Sequence, residues 1–334
     1  MKNNIIRYKF IYLSILLLFF VGTSAQKTTT NTTVTTTDDD GTVTAVTTNN
    51  GTTIRINNPR YKFEKTKTVI KSYPLGNNEL VNINNTYGRV MVNNWSRNEV
   101  KVIATVKSRA ATEAEAQRNL DRVEIAASDG STKNFSTRLD NRKGNNSYSL
   151  TIDYDVFIPE NGNLNITNSF GNTTLPDRNG KTNISQSYGS VKAGQLPRIE
   201  KLNLSYGGIK ALMLGNGKLN ISYSDIKIDE LVGDIIANID YCGAELGIGE
   251  AFDNLKINSN YSDVKLKTTN KVNPKSISIN TSYGDVKNKS SIKIIDQTVE
   301  KKYGPTFNRT YSGHNASGKA SIIINSTFGD ISIQ

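Results

Sequence analysis

The residues best placed to do chemistry are four aspartates that return in one fixed context. Asp225, Asp263, Asp285 and Asp330 each stand two positions after an aromatic residue: Tyr223, Tyr261, Tyr283 and Phe328. Two carboxylates roughly 5–9 Å apart are what hydrolysis of a glycosidic bond requires. Asp263 and Asp285, on consecutive repeats, would then lie side by side. The same aspartate, however, recurs wherever its context recurs, including near the last residue, Gln334. A residue repeated with the fold serves the fold, here by bonding its own backbone in a turn. Turn-making is therefore the reading adopted, ahead of cation binding and of polysaccharide cleavage.

Other reactive side chains are sparse. Cys242 is the only cysteine and His314 the only histidine. An internal disulfide is thereby excluded, as are most His/Cys metal sites and a Cys–His pair built from neighbouring motifs. Cys242 directly follows Tyr241 inside a repeat and reads as a small residue at a corner. The run Asp38-Asp39-Asp40-Gly41 lacks the spaced oxygen ligands and closing glutamate of a calcium loop. No Ser/His/Asp set, phosphate loop or dinucleotide glycine motif is present. The sequence implies no cofactor and no catalytic residues.

What positions these residues is a repeat. Aligned on their aromatic residue, the units are centred on Tyr87, Phe170, Tyr188, Tyr206, Tyr223, Tyr241, Tyr261, Tyr283 and Phe328. Successive steps from Phe170 to Tyr283 are 18, 18, 17, 18, 20 and 22 residues. A period near 20 marks stacked units, none of which buries its apolar face alone. Apolar residues fall four and often two positions before the aromatic, as Leu219 and Ile221 do before Tyr223, and three and five after it, as Ile226 and Ile228 do. Those two sets differ in parity. A straight strand would send one of them to the wrong face, so the chain must bend just past the aromatic. Gly207, Gly284 and Gly329 occupy the position after Tyr206, Tyr283 and Phe328. Glycine permits unusual dihedrals there, and the aspartate that follows holds the turn. With the aromatic counted among the inward positions, its rings form a ladder inside the coil or at its rim.

Three positions before the aromatic runs a second ladder: Asn203, Asn220, Asn238, Asn258, Asn280 and Asn325, joined upstream by Asn84. By parity these amides point outward, where stacked asparagines bond along the stacking axis. A polar ligand-binding stripe is the alternative.

The units imply an all-β fold, a single-stranded parallel β-helix or solenoid with coils of 17–22 residues spanning residues 61–334. One helical interruption is expected over 111–123, where Thr112 and Glu115 have the capping-box form and Ala116, Leu120 and Val123 make a narrow apolar stripe. Residues 1–25 have the parts of a secretory signal: Lys2, Arg7 and Lys9, an apolar run from Phe10 to Val21, and Thr23-Ser24-Ala25. No later segment is apolar enough to cross a membrane as a helix, so export to the periplasm, the surface or the outside is expected. Residues 26–60 read as a threonine-rich leader with a hairpin about Asn49-Asn50-Gly51. Without the three basic residues of the signal, 38 basic residues stand against 30 acidic ones. The lysines are scattered, as at Lys201, Lys210 and Lys227, and not grouped among aromatic platforms. That argues against nucleic acid. A solvated, soluble surface is the reading adopted, with attraction to acidic surface polymers or anionic headgroups as the alternative.

The stretches "VNINNTYGRVMVNNW", "LNLSYGGIKA", "LNISYSDIKI" and "INTSYGDVKN" resemble the adhesin-like domains of bacterial envelope proteins over roughly residues 65–334. A non-enzymatic binding or structural module that meets a cell-surface carbohydrate or an envelope protein is the expectation; the resemblance itself implies a right-handed single-stranded β-solenoid whose biochemical function is not established. It supplies no catalytic residues. The helical segment and the long gap between Tyr87 and Phe170 make the first unit atypical, as terminal capping units often are.

Overall fold

The computed structural model describes residues 32–36, 43–47, 61–140, 148–269 and 271–334. The chain divides into two units, Met1–Asn58 and Pro59–Gln334. In the first, strand Thr32–Thr36 pairs antiparallel with Val43–Thr47, Thr32 opposite Thr47 and Thr36 opposite Val43. The paired runs therefore lie on either side of Asp38–Gly41. The hairpin expected about Asn49-Asn50-Gly51 lies outside the described residues, as do residues 1–25 and Asp38–Gly41 themselves.

Among its described residues the second unit is almost wholly β, a 19-stranded sheet with one helix. Its repeats pair in parallel and in register. Ile166 lies opposite Ile184, and Ile184 opposite Leu202, each four residues before its aromatic. Past the aromatic the register holds, with Val191 opposite Ile209 and Ala244 opposite Val264. Residues on both sides of the bend are buried in one continuous core, including Leu202, Leu219 and Ile257 before it and Ile209, Ile226 and Val264 after it. Burying each such side chain contributes roughly 1.5–3 kcal/mol. With its one cysteine free, the chain holds together by packing and hydrogen bonds.

The order of units in space departs from their order in sequence at the C-terminus. Strand Ser321–Thr327 pairs in parallel with Gly243–Asn260 on one side and with Ser276–Ser282 on the other. The last unit of the sequence is thus inserted between the units of Tyr261 and Tyr283. Both limits of the parallel stack are closed by antiparallel pairs. Strand Asn308–His314 runs against Ser276–Ser282 at one limit. At the other, residues 99–159 provide Glu99–Ala110, flanked antiparallel by Phe63–Pro74 and Tyr148–Pro159. The 83-residue gap between Tyr87 and Phe170 is this closing insertion, because Leu80–Thr86 and Asn163–Ser169 are direct parallel neighbours.

The helix runs Glu113–Asp121, shorter than 111–123. The Thr112 side chain accepts a hydrogen bond from the Glu115 N–H, and Ala116 and Leu120 are buried. Val123 is buried too, but as the first residue of the next strand, Val123–Asp129.

Candidate functional site: the aromatic corner and its flanking rows

Every aromatic of the repeat sits in the left-handed region, with φ between 47° at Tyr261 and 67° at Tyr87. The bend is therefore made at the aromatic itself and not at the glycine after it. The ladder continues through it: the Phe170 N–H donates to the Ser187 carbonyl, and the Tyr261 N–H to that of Thr327. Because of the bend, the rings do not point into the core. Tyr206 and Tyr223 are each 50% exposed, and the other repeat aromatics are similar. This corrects the parity argument, which counted the aromatic among the inward positions. The rings stack on one another with centroids 4.8–5.4 Å apart from Tyr87 through Phe328 to Tyr283. Phe307, outside the repeat, adds a tenth ring at 4.7 Å from Tyr283.

The glycines serve close approach. A Cβ on Gly207 would lie 2.0 Å from the Gly189 carbonyl oxygen, and one on Gly329 2.0 Å from that of Ser262. Where Ser224, Cys242 and Ser262 replace glycine, the side chain turns inward and bonds main chain: Ser224 Oγ to the Ser222 carbonyl at 2.7 Å, Cys242 Sγ to that of Asp240 at 3.1 Å. Burial raises the pKa of the Cys242 thiol, which is enclosed and not a nucleophile on a surface. In several glycine units the bond comes instead from the residue two before the aromatic. Asn85 donates to the Ile152 carbonyl, Gln186 to that of Gly171 and Thr281 to that of Gly284. One device or the other keeps a buried polar backbone group paired.

The aspartates lie on the outer side of the corner. Asp263 Oδ1 accepts the Asp330 N–H at 2.9 Å, and Asp330 Oδ1 accepts the Asp285 N–H at 2.9 Å. Asp263 and Asp285 are consequently not neighbours: Asp330 stands between them. The asparagine ladder runs in the same order. Asn220 donates to Asn203, Asn238 to Asn220, Asn258 to Asn238, Asn325 to Asn258 and Asn280 to Asn325, all at 2.8–3.1 Å. These amides satisfy one another along the stack. Sequence reasoning missed a shorter ladder five positions before the aromatic, in which Asn183 donates to Asn165, Asn165 to Asn82 and Asn82 to Asn134. Three of its members share a fixed offset that alignment on the aromatic displays.

Beside the aspartates runs a row four positions after the aromatic: Lys192, Lys210, Lys227, Glu245, Lys265, Ser332 and Lys287 in spatial order. A groove of about 640 Å³ lies along it, lined by Asp225, Gly243, Glu245, Asp263, Lys265 and Asp330 among others. Glu245 is bracketed by Lys227 at 3.9 Å, Lys265 at 4.0 Å and Lys267 in closer contact. The hydrogen bond from Lys267 holds its carboxyl below the usual carboxylate range, with the other two lysines adding to the effect. Among the described residues no group of three or more His, Cys, Asp or Glu is placed to hold a metal ion. No helix among them is long and apolar enough to cross a membrane.

No protein-family model matches the chain, and neither does any curated protein. Its likenesses are to crystal structures. One is a candidate cell adhesion protein from Clostridium sporogenes, 16% identical over 80% of this chain and 99% of that one, with a TM-score of 0.25. Another is a candidate adhesin from Parabacteroides merdae, 12% identical over 80% and 96%, with a TM-score of 0.36. A third is a candidate lipid-binding protein from Parabacteroides distasonis, 12% identical over 80% and 96%, with a TM-score of 0.31. Likeness this distant carries no argument about function.

Proposed function

We propose that this chain is an exported, non-enzymatic β-solenoid of adhesin-like type that binds at the bacterial envelope through weak contacts repeated along a rigid face. The observation that carries the reading is the recurrence of charged side chains at one-unit spacing: the lysine row beside the corner aspartates, with a groove of about 640 Å³ along it. In-register parallel pairing from Leu80–Thr86 through Ser321–Thr327 favours a single-stranded solenoid, and the family resemblance favours the right-handed form. Export rests on the basic, apolar and small-residue segments of residues 1–25. The partner class is a cell-surface carbohydrate or an envelope protein, met by lysine and aspartate side chains. The asparagine ladder contributes stiffness, since its amides are engaged with one another.

Engagement of the corner carboxylates by backbone N–H groups of the next unit weighs against polysaccharide cleavage. Two measurements test the reading together. Glycan arrays and pull-downs from whole cells should retain the chain, and retention should fall when Lys227 and Lys265 are changed to Glu. Blank results from both at micromolar protein would overturn it. Release of reducing sugar from acidic or neutral polysaccharides that disappears in Asp263→Asn or Asp330→Asn would establish the enzyme instead.

A further inference from the structure

The stacked rings cover one another's faces and leave their edges to solvent. With about half of roughly 200 Å² open on each of ten rings, the strip presents about 1,000 Å² of contiguous aromatic edge. A monomer rarely leaves more than a few hundred Å² of apolar surface uncovered in one patch. The strip matches the roughly 800 Å² that each partner contributes to a standard interface. A sugar would need an open ring face, and only the terminal rings, Tyr87 and Phe307, have a side with no stacked neighbour. The strip thus suits another strip of edges better than a polysaccharide.

Charge beside the strip is uneven along its length. In spatial order, the residues two positions past the ring are Arg89, which pairs with Asp153 and Asp155, then the uncharged Asn172, Ser190 and Gly208, then Asp225, Gly243, Asp263, Asp330 and Asp285. Lys192 and Lys210, beside the uncharged part, are exposed and make no ion pair among the described residues. One end of this flank is basic; the other is net acidic, with Glu245 and the four aspartates standing against Lys227, Lys265 and Lys287, the last of which lies 3.6 Å from Asp330. We propose that two copies of this chain associate through the aromatic strip in antiparallel fashion, Lys192 and Lys210 of one copy meeting Asp330 and Asp263 of the other. A two-fold axis lying in the interface, perpendicular to the strip, sets each flank opposite the same flank and reverses its direction. The centre falls between Tyr223 and Tyr241, the fifth and sixth of ten rings, so the Tyr188 unit meets that of Phe328 and the Tyr206 unit that of Tyr261. A parallel arrangement would face the aspartates with the residues directly before the rings, Ser187, Ser205, Ser222, Asp240, Asn260 and Thr327 among them, none of which is a cation.

Sedimentation equilibrium of the full chain tests this. A reversible dimer with a Kd of micromolar order is expected, weakened by salt. Lys210→Glu and Asp263→Lys should each weaken it by about tenfold, because each contact occurs twice across the two-fold axis. The double variant should recover most of the loss. Circular dichroism and urea unfolding of each variant separate a lost interface from a lost fold; both sites are exposed, so folding should survive. A folded chain that stays monomeric at about 100 μM, where a micromolar Kd would leave it dimeric, overturns the proposal. So does a dimer indifferent to both charge reversals, or a double variant no tighter than either single one.

Discussion

A Tyr or Phe at φ near +55° is unusual, because its Cβ crowds the following carbonyl at a cost of about 1–2 kcal/mol. The strain is repeated at nine positions, so something must offset it at each. Parallel stacking does so: an aromatic pair contributes about 0.5–1.5 kcal/mol beyond area burial, and every interior ring has a neighbour on both sides. The following glycine then admits the next unit's backbone. Gly207→Ala would press a methyl to 2.0 Å from the Gly189 carbonyl oxygen, and we expect it to destabilise by about 3 kcal/mol or more in urea unfolding. Gly243→Ala is the control, since a Cβ there meets nothing within 4 Å. It should be neutral or stabilise by about 0.4–1 kcal/mol through the unfolded state. Equal losses at both would show that the close approach does not matter. The need for a bend was legible in the parity of Leu219 and Ile221 against Ile226 and Ile228. Which residue bends was not, because a glycine beside an aromatic is the stronger sequence signal for positive φ.

At the scale of elements, two polar groupings decide how neighbouring segments fit. Arg178 is 1% exposed and donates to Asn94 Oδ1 at 2.9 Å and to the carbonyls of Gly162 at 2.7 Å and Pro159 at 3.3 Å. Burial pulls its guanidinium down to about 10, still charged at neutral pH. Arg178→Met would strand these acceptors, each costing about 1–3 kcal/mol when buried and unpaired. We expect a loss of at least about 3 kcal/mol in urea unfolding, with Arg178→Lys failing to restore it for want of a planar fork. Full stability in the lysine variant would sink this account. Glu245 joins three lysines from the two adjoining units, Lys227 from one and Lys265 and Lys267 from the other. Its carboxyl pKa is depressed in the folded state, so its contribution is complete above the unfolded value of about 4.3 and is lost as pH falls through the lower folded value. Glu245→Gln should flatten the stability profile in that acidic window alone. Carboxyl titration by NMR checks the direction, and a midpoint above about 4.3 would reverse it. Neither grouping was readable from periodicity. Arg178 lies in a non-repeating turn, and the pairing of Glu245 needs the register of its neighbours.

For the molecule as a whole, the consequential feature is that the last unit of the sequence is not the last in space. Strand Ser321–Thr327 bridges Gly243–Asn260 and Ser276–Ser282, and Ile331–Ile333 bridges Asp263–Lys267 and Val286–Asn288. The repeat pattern alone predicts stacking in sequence order, because each unit's offsets are alike and nothing local says which neighbour it joins. The long step from Tyr261 to Tyr283 and the insertion 289–314 are the only hints of a detour. Removing residues 321–334 would therefore not trim an end. It would take out the layer joining the Tyr261 and Tyr283 units, including both asparagine bonds of Asn325 and the stacking of Phe328 on either side. In a stack stabilised by nearest neighbours, everything beyond the gap loses its template while everything before it keeps one. Hydrogen exchange of the truncated chain should show residues 276–314 unprotected, with 163–240 retaining near-native protection. Persistent protection over 276–314 would mean that these segments close on the Tyr261 unit unaided, and the inserted layer would then be dispensable.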